Sequence, residues 1–227
     1  INGCLVGSEM CIRDRDDTVS YNKGKVLDYE ALEKIDTFGR YLDSDNDGIC
    51  YRTYPGTHPE KGAYFTRGTS HDEYARYTED GNINAQTLTR LMRKFRTATD
   101  LVPEPIIEIN GEDSCGVIYY GSSKPAVLEA KDILKTKNIN LDLMQIRSFP
   151  FNLDVWEFIA NHDRIYVVEQ NRDSQMRTLI MAEGGISAEI LRPLVHFTGD
   201  PIEASYIVNK ISEREVNYKS HKNIKER

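Results

Sequence analysis

Beyond residue 106 the chain alternates short apolar runs with stretches of helical period, four times over. The apolar runs cover 114–120, 141–146, 163–169 and 190–197, and the helical stretches cover 125–136, 153–160, 174–182 and 201–216. Runs this short suit strands buried on both faces rather than helices. A helix between consecutive strands carries the chain back across the sheet, so the strands run parallel. The pattern predicts an α/β fold, a mostly parallel sheet with helices on both faces. Pro125 suits a first helical position. Pro193 falls inside the last run and lacks a ladder donor, which predicts an edge strand there. In such sheets functional residues gather beyond the carboxyl ends of the strands. Those ends are 121–123, 147–148, 169–171 and 198–200.

The half before residue 106 has a different texture. Asp28 caps a short helix over 28–35, with Tyr29, Leu32 and Ile35 toward one face. The string DSDNDG (43–48) matches the first half of a calcium-binding loop. Tyr54 stands where the closing bidentate glutamate belongs, which favours a surface Asp/Asn/Gly turn. Residues 51–80 have no clean period but carry Tyr51, Tyr54, Tyr64, Phe65, Tyr74 and Tyr77. Disordered segments are poor in aromatics, so this is an ordered loop. A helix over 83–101 places Leu88, Leu91, Met92, Phe95 and Ala98 at helical spacing, with Arg90, Arg93, Lys94 and Arg96 mostly opposite. A basic face of this kind suits phosphate, although a solvated or subunit-contacting face is commoner. Residues 102–105, Val-Pro-Glu-Pro, end the helix and read as a linker.

The net charge of −7 argues against a nucleic-acid partner, since only the last nine residues form a basic run. No apolar run approaches the ~20 residues that span a bilayer. Four cysteines without a Cys-x-x-Cys pair do not form a zinc or cluster motif, and a cytoplasmic location is the default. The opening INGCLVGSEMCIRDR (1–15) is not a signal peptide. Residues 8–15 resemble translated sequencing-adapter sequence. On that reading Cys4 and Cys11 are not native and the natural chain begins upstream.

Candidate chemistry is sparse. The Gly-Ser-Ser-Lys turn at 121–124 either presents backbone amides to an anion or simply caps the next helix, and the second is the commoner use. Glu169 and Asn171 end a very apolar strand. They serve structure, an interface or an active-site rim. The triplet His71, Asp72, Glu73 makes a poor three-ligand site because consecutive side chains diverge, and His58 is similarly weak. No catalytic residue is assigned. Residue spacing alone leaves two readings, an enzyme subunit or a free-standing α/β module that binds a small anionic ligand at strand-end loops.

Several longer strings carry a family resemblance. DGICYRTYPGTHP (47–59), GAYFTRGTSHDEYARYTEDG (62–81), GVIYYGSS (116–123) and YVVEQNRDSQMR (166–177) resemble the alpha subunit of 2-oxoacid:ferredoxin oxidoreductases of the 2-oxoglutarate synthase type. The resemblance implies that 16–55 is the tail of a thiamine-diphosphate pyrimidine-binding domain, 56–105 a connector loop and helix, and 106–227 a transketolase C-terminal-like domain. It implies oxidative decarboxylation of a 2-oxoacid with coenzyme A, giving acyl-CoA, carbon dioxide and reduced ferredoxin or flavodoxin. It also implies a partner beta subunit that carries the diphosphate–magnesium site and the [4Fe-4S] cluster, so that this piece alone is inactive. Arg52, Thr57, Arg67 and His71 become candidates for an active-site rim or subunit seam. Arg52 and Arg67 suit a carboxylate through two parallel hydrogen bonds.

Overall fold

A computed structural model of the chain describes residues 22–64, 70–111 and 114–225. Residues 1–15 and Arg67 lie outside them. The chain divides into two compact units, Ile1–Lys94 and Phe95–Arg227.

The second unit holds a five-stranded sheet: β1 (Ile106–Glu108), β2 (Cys115–Tyr119), β3 (Leu141–Gln145), β4 (Ile165–Glu169) and β5 (Leu191–Val195). Their spatial order is β1-β3-β2-β4-β5, with every pair parallel except β1 against β3. The mostly parallel sheet expected from the alternation is present, and Pro193 sits on an edge strand. The antiparallel β1 was not legible in the sequence. It has three residues, half exposed, and too little length to show a period.

Side chains on a strand alternate between faces, and this builds two separate cores. Val117, Tyr119, Leu141, Leu143, Tyr166 and Val168 pack with helices α3 (Lys124–Thr136) and α6 (Ala204–Lys225). Ile118, Met144, Ile165, Val167 and Leu191 pack with α4 (Leu153–Ala160) and α5 (Gln175–Gly184). Helices therefore cover both faces. Gly116 on β2 permits the closeness of the second layer: an added Cβ would lie 2.9 Å from Ile165 and 3.1 Å from Phe158.

The ends of the strands opposite the usual functional side carry buried polar groups, each with partners. Asp142 accepts from Ser114 Oγ and the Asn110 amide and lies 3.0 Å from His162 Nε2. Glu215 on α6 takes the Arg164 guanidinium at 3.0 and 3.1 Å and the Tyr166 hydroxyl at 2.8 Å. Burial, then the Glu215 charge, raises the Tyr166 phenol above its usual range. The Glu215 contacts fix α6 onto the sheet through charge-assisted hydrogen bonds away from water.

In the first unit Asp28 caps α1 (Tyr29–Glu33), its Oδ1 accepting from the Ala31 amide at 2.9 Å. Residues 43–48 form a turn whose carboxylates face protein cations. Lys25 Nζ lies 2.6 Å from Asp45 and 2.7 Å from Asp47, and Arg93 lies 2.6 Å from Asp43. Gly48 ends the turn at φ +80°, with its Cα so near α2 (Gly81–Ala98) that a Cβ would fall 2.2 Å from the Lys94 amide. The spacing located α2, but no residue of this helix is buried, and Leu88, Met92 and Phe95 are exposed.

Candidate functional site

The sequence candidates separate into two groups, one in each unit. In the first unit the backbone of Arg52 is fixed by a parallel bridge to Val26, with its amide donating to Lys25 O and its carbonyl accepting from the Leu27 amide, both at 2.9 Å. The guanidinium donates to the Lys23 carbonyl and lies 5.8 Å from the Tyr54 ring. The Thr57 amide donates to Tyr54 O, closing a turn through Gly56. His71 stacks on Tyr41 with centroids 3.8 Å apart, and its Nδ1 lies 3.0 Å from the Asp72 carbonyl. His58 is buried. Its Nδ1 accepts from the Glu60 and Lys61 amides, and its Nε2 lies 2.8 Å from Glu33. That hydrogen bond, joined by one from Tyr29, holds the Glu33 carboxyl below its usual range.

Three cavities open among the described residues of this unit, and two of them share Tyr41. One, about 750 Å³, has Asp72, Glu73 and Tyr74 on one side and Gln86, Thr87 and Arg93 on the other. The second, about 490 Å³, takes Arg52, Lys23, Lys25 and Lys94 into its wall. Tyr41 and Arg90 line both. The stacked pair of His71 and Tyr41 therefore stands beside both hollows, and Arg52 opens into the smaller. Cys50 also lines the smaller one, but burial pushes its thiol up, which disfavours the nucleophilic thiolate.

In the second unit the order of the parallel strands reverses between β2 and β4, and in open α/β sheets that switch point is where ligands bind. Here the crevice is closed by its own side chains. Gln170 Nε2 donates to Ser122 Oγ at 3.0 Å and Ser123 Oγ at 3.3 Å. Asn171 Nδ2 donates to Glu169 at 2.8 Å and to the Tyr120 hydroxyl at 3.4 Å. Glu169 is fully buried and accepts the Met176 and Arg177 amides at 2.8 and 2.9 Å. It caps α5, whose preceding residue Ser174 sits at φ +51° and makes no side-chain cap. Arg147 and Ser148 donate to the carbonyls of Glu104 and Pro103, which ties down the expected linker. At the end of β5, His196 Nε2 lies 3.0 Å from the Asp200 carbonyl. These strand-end polar residues are thus held by one another and by backbone groups, while Gln145 Oε1 at the end of β3 is buried without a partner among the described residues.

Sequence reasoning did not single out Lys25, Arg40 or Tyr41. Their partners lie 13 to 30 residues away, at Asp45 and Asp47, the Thr53 carbonyl and His71, and no local spacing reports such pairs.

No family model matches the chain. It is 27% identical over 204 residues to subunit alpha of 2-oxoacid:ferredoxin oxidoreductase 2 from Aeropyrum pernix, covering 86% of this chain and 30% of the relative. It is 28% identical over 175 residues to subunit alpha of the 2-oxoacid:ferredoxin oxidoreductase of Saccharolobus solfataricus, covering 75% and 26%. This chain is a relative of 2-oxoacid:ferredoxin oxidoreductase alpha subunits. It spans less than a third of the length of the alpha subunits it matches. Its fold is shared with a solved 2-oxoglutarate:ferredoxin oxidoreductase from Magnetococcus marinus, holding 2-oxoglutarate, coenzyme A and succinyl-CoA. The TM-score is 0.68 at 23% identity, over 78% of this chain and 30% of that one. The alpha-subunit resemblance seen in the loop and strand-end strings therefore extends over most of the chain.

Proposed function

We propose that the chain is part of the alpha subunit of a thiamine-diphosphate-dependent 2-oxoacid:ferredoxin oxidoreductase acting on 2-oxoglutarate. The reaction is oxidative decarboxylation with coenzyme A, giving succinyl-CoA, carbon dioxide and reduced ferredoxin, with flavodoxin as the other candidate acceptor. The observation that carries this reading is the alignment with two archaeal alpha subunits over 86% and 75% of the chain. The choice of 2-oxoglutarate draws support from the substrate held by the Magnetococcus enzyme.

Among the described residues no three His, Cys, Asp or Glu side chains converge as a metal ion requires. Cys50 and Cys115, the cysteines described, lie in different units. These residues do not fit a cluster or a magnesium ion. In this proposal the [4Fe-4S] cluster, magnesium and diphosphate belong to a partner beta subunit, and the complex is cytoplasmic. No helix among the described residues is long and apolar enough to cross a membrane.

The chain's own contribution is positional. Arg52, Thr57, Arg67 and His71 line the active-site rim or the seam between subunits, and Arg52 is held there by backbone pairing with 25–27. The parallel-sheet unit is the transketolase C-terminal-like domain, and residues 16–55 are the tail of the pyrimidine-binding domain. Glu169 and Asn171 hold the sheet-to-helix junction next to the crevice.

Co-expression of the complete alpha subunit with its beta subunit tests the reading. Ferredoxin reduction that depends on 2-oxoglutarate and coenzyme A is expected, with none from this chain alone. Reduction supported only by another 2-oxoacid overturns the substrate, and no reduction with any 2-oxoacid overturns the activity.

A further inference from the structure

We propose that the 490 Å³ cavity of the first unit is a binding site for a small phosphate-bearing ligand. Six basic side chains line it, Lys23, Lys25, Arg40, Arg52, Arg90 and Lys94, and among the described residues no carboxylate does. That is contrary to the chain as a whole, which carries 36 acidic and 29 basic residues. Lys25 is neutralised from behind by Asp45 and Asp47, and those two carboxylates hold its ammonium charged well above the usual range. The other five have no carboxylate partner among the described residues. Arg52 donates to the Lys23 carbonyl, Arg90 to Gly48 O at 3.0 Å and Arg40 toward Thr53 O at 3.5 Å, while Arg40 also lies 3.3 Å from the Tyr64 ring. These contacts orient the guanidinium groups and leave their charge uncompensated.

Cations gathered in a hollow repel one another and concentrate anions from solution. A phosphoryl group fits the set better than a carboxylate. A carboxylate presents two oxygens in one plane, whereas a phosphoryl group presents three around a tetrahedron and accepts from donors on several sides at once. Five uncompensated cations exceed what a dicarboxylate such as 2-oxoglutarate can neutralise. They suit a diphosphate, which carries more negative charge than a dicarboxylate, and the volume falls within the usual range for small-ligand sites. The arrangement is built in before any ligand arrives. Arg90 and Lys94 lie four residues apart on α2 and so share a face, and the bridge between Val26 and Arg52 fixes the opposite wall. The site shares Arg52 with the proposed rim, but its test reads ligand binding without turnover, so its failure and that of the enzymatic reading are distinguishable.

Calorimetric titration of the full chain with pyrophosphate tests it. Saturable binding is expected, tighter than for 2-oxoglutarate and weakening as salt rises. The double variant K23Q/K94Q removes two exposed charges whose side chains make no hydrogen bond or ion pair among the described residues. It is expected to weaken pyrophosphate at least tenfold and to leave the urea midpoint unchanged. Should the double variant shift that midpoint, K94Q alone carries the test, with a threefold weakening expected. The proposal is overturned by absence of saturable binding to the native chain, by unchanged affinity in a normally folded variant, or by tighter binding of 2-oxoglutarate than of pyrophosphate.

Discussion

Replacing Glu169 by glutamine isolates the electrostatic part of the α5 cap, because the two side chains have nearly the same shape. Oε1 accepts the Arg177 amide, while Oε2 accepts the Met176 amide and the Asn171 side chain. A glutamine has one oxygen. With it placed at Oε2, its NH2 group faces the Arg177 amide, donor against donor, and one buried N–H loses its acceptor. With it placed at Oε1, two donors do. The better arrangement costs about 1–3 kcal/mol for the unsatisfied amide. Loss of the negative charge at a helix N-terminus adds about 0.3–1 kcal/mol, and more where the site is buried. The expected total is about 2–4 kcal/mol. Urea unfolding followed by far-UV circular dichroism reads the global cost, and amide exchange at Met176 and Arg177 reads the local one. The amides of α5 are expected to exchange faster than in the native chain, while those of α3, which Glu169 does not touch, stay unchanged. A loss below about 0.5 kcal/mol with unchanged exchange at both amides would refute the cap.

Two further perturbations test the base of the sheet. Glu215→Ala removes the buried one of two carboxylates on the Arg164 guanidinium and leaves Asp163 at 2.9 Å, so a loss of about 3 kcal/mol, the low end for a broken buried pair, is expected in the same urea assay, with Glu215→Gln costing less. A melting curve within two degrees of the native chain for Glu215→Ala argues against the buried pair. Burial pushes the Cys115 thiol up from 9.0 to about 12, so the folded state keeps this proton where the unfolded chain releases it. A raised value stabilises fully below the unfolded pKa and is lost as pH climbs through the folded one. Stability is therefore expected to fall between pH 9 and 12, less steeply in Cys115→Ala, and Tyr166 adds a loss of the same sign at the upper end. Equal slopes for the native chain and Cys115→Ala across that window contradict the burial of the thiol.

Helix positions were legible wherever local chemistry sets them. Asp28 was readable as a cap and Pro125 as a first-turn residue, and Pro193 as a marker of an edge strand, because each acts through its own backbone or a few neighbours. The role of Glu169 was not, since the amides it accepts lie seven and eight residues ahead across a turn. Residues 43–48 show the same limit in another form. The aspartates were readable as a turn, but Lys25 and Arg93, the cations they hold, come from 20 and 50 residues away. The period of α2 told helix from strand and could not tell a covered apolar face from an exposed one, because period records only what a helix would bury.

The sequence by itself determined the alternation of strand and helix, the parallel sheet, the family likeness and a basic face on one helix. These follow from patterns of two, three or four residues, and from strings long enough to be matched directly. Tertiary structure decided what the polar residues do. It brought five uncompensated cations from four separate stretches around one hollow. It also turned the strand-end groups toward one another in place of the crevice. Charge and hydrogen bonding act over a few ångströms of space, whatever the separation along the chain, and only the folded chain sets that distance.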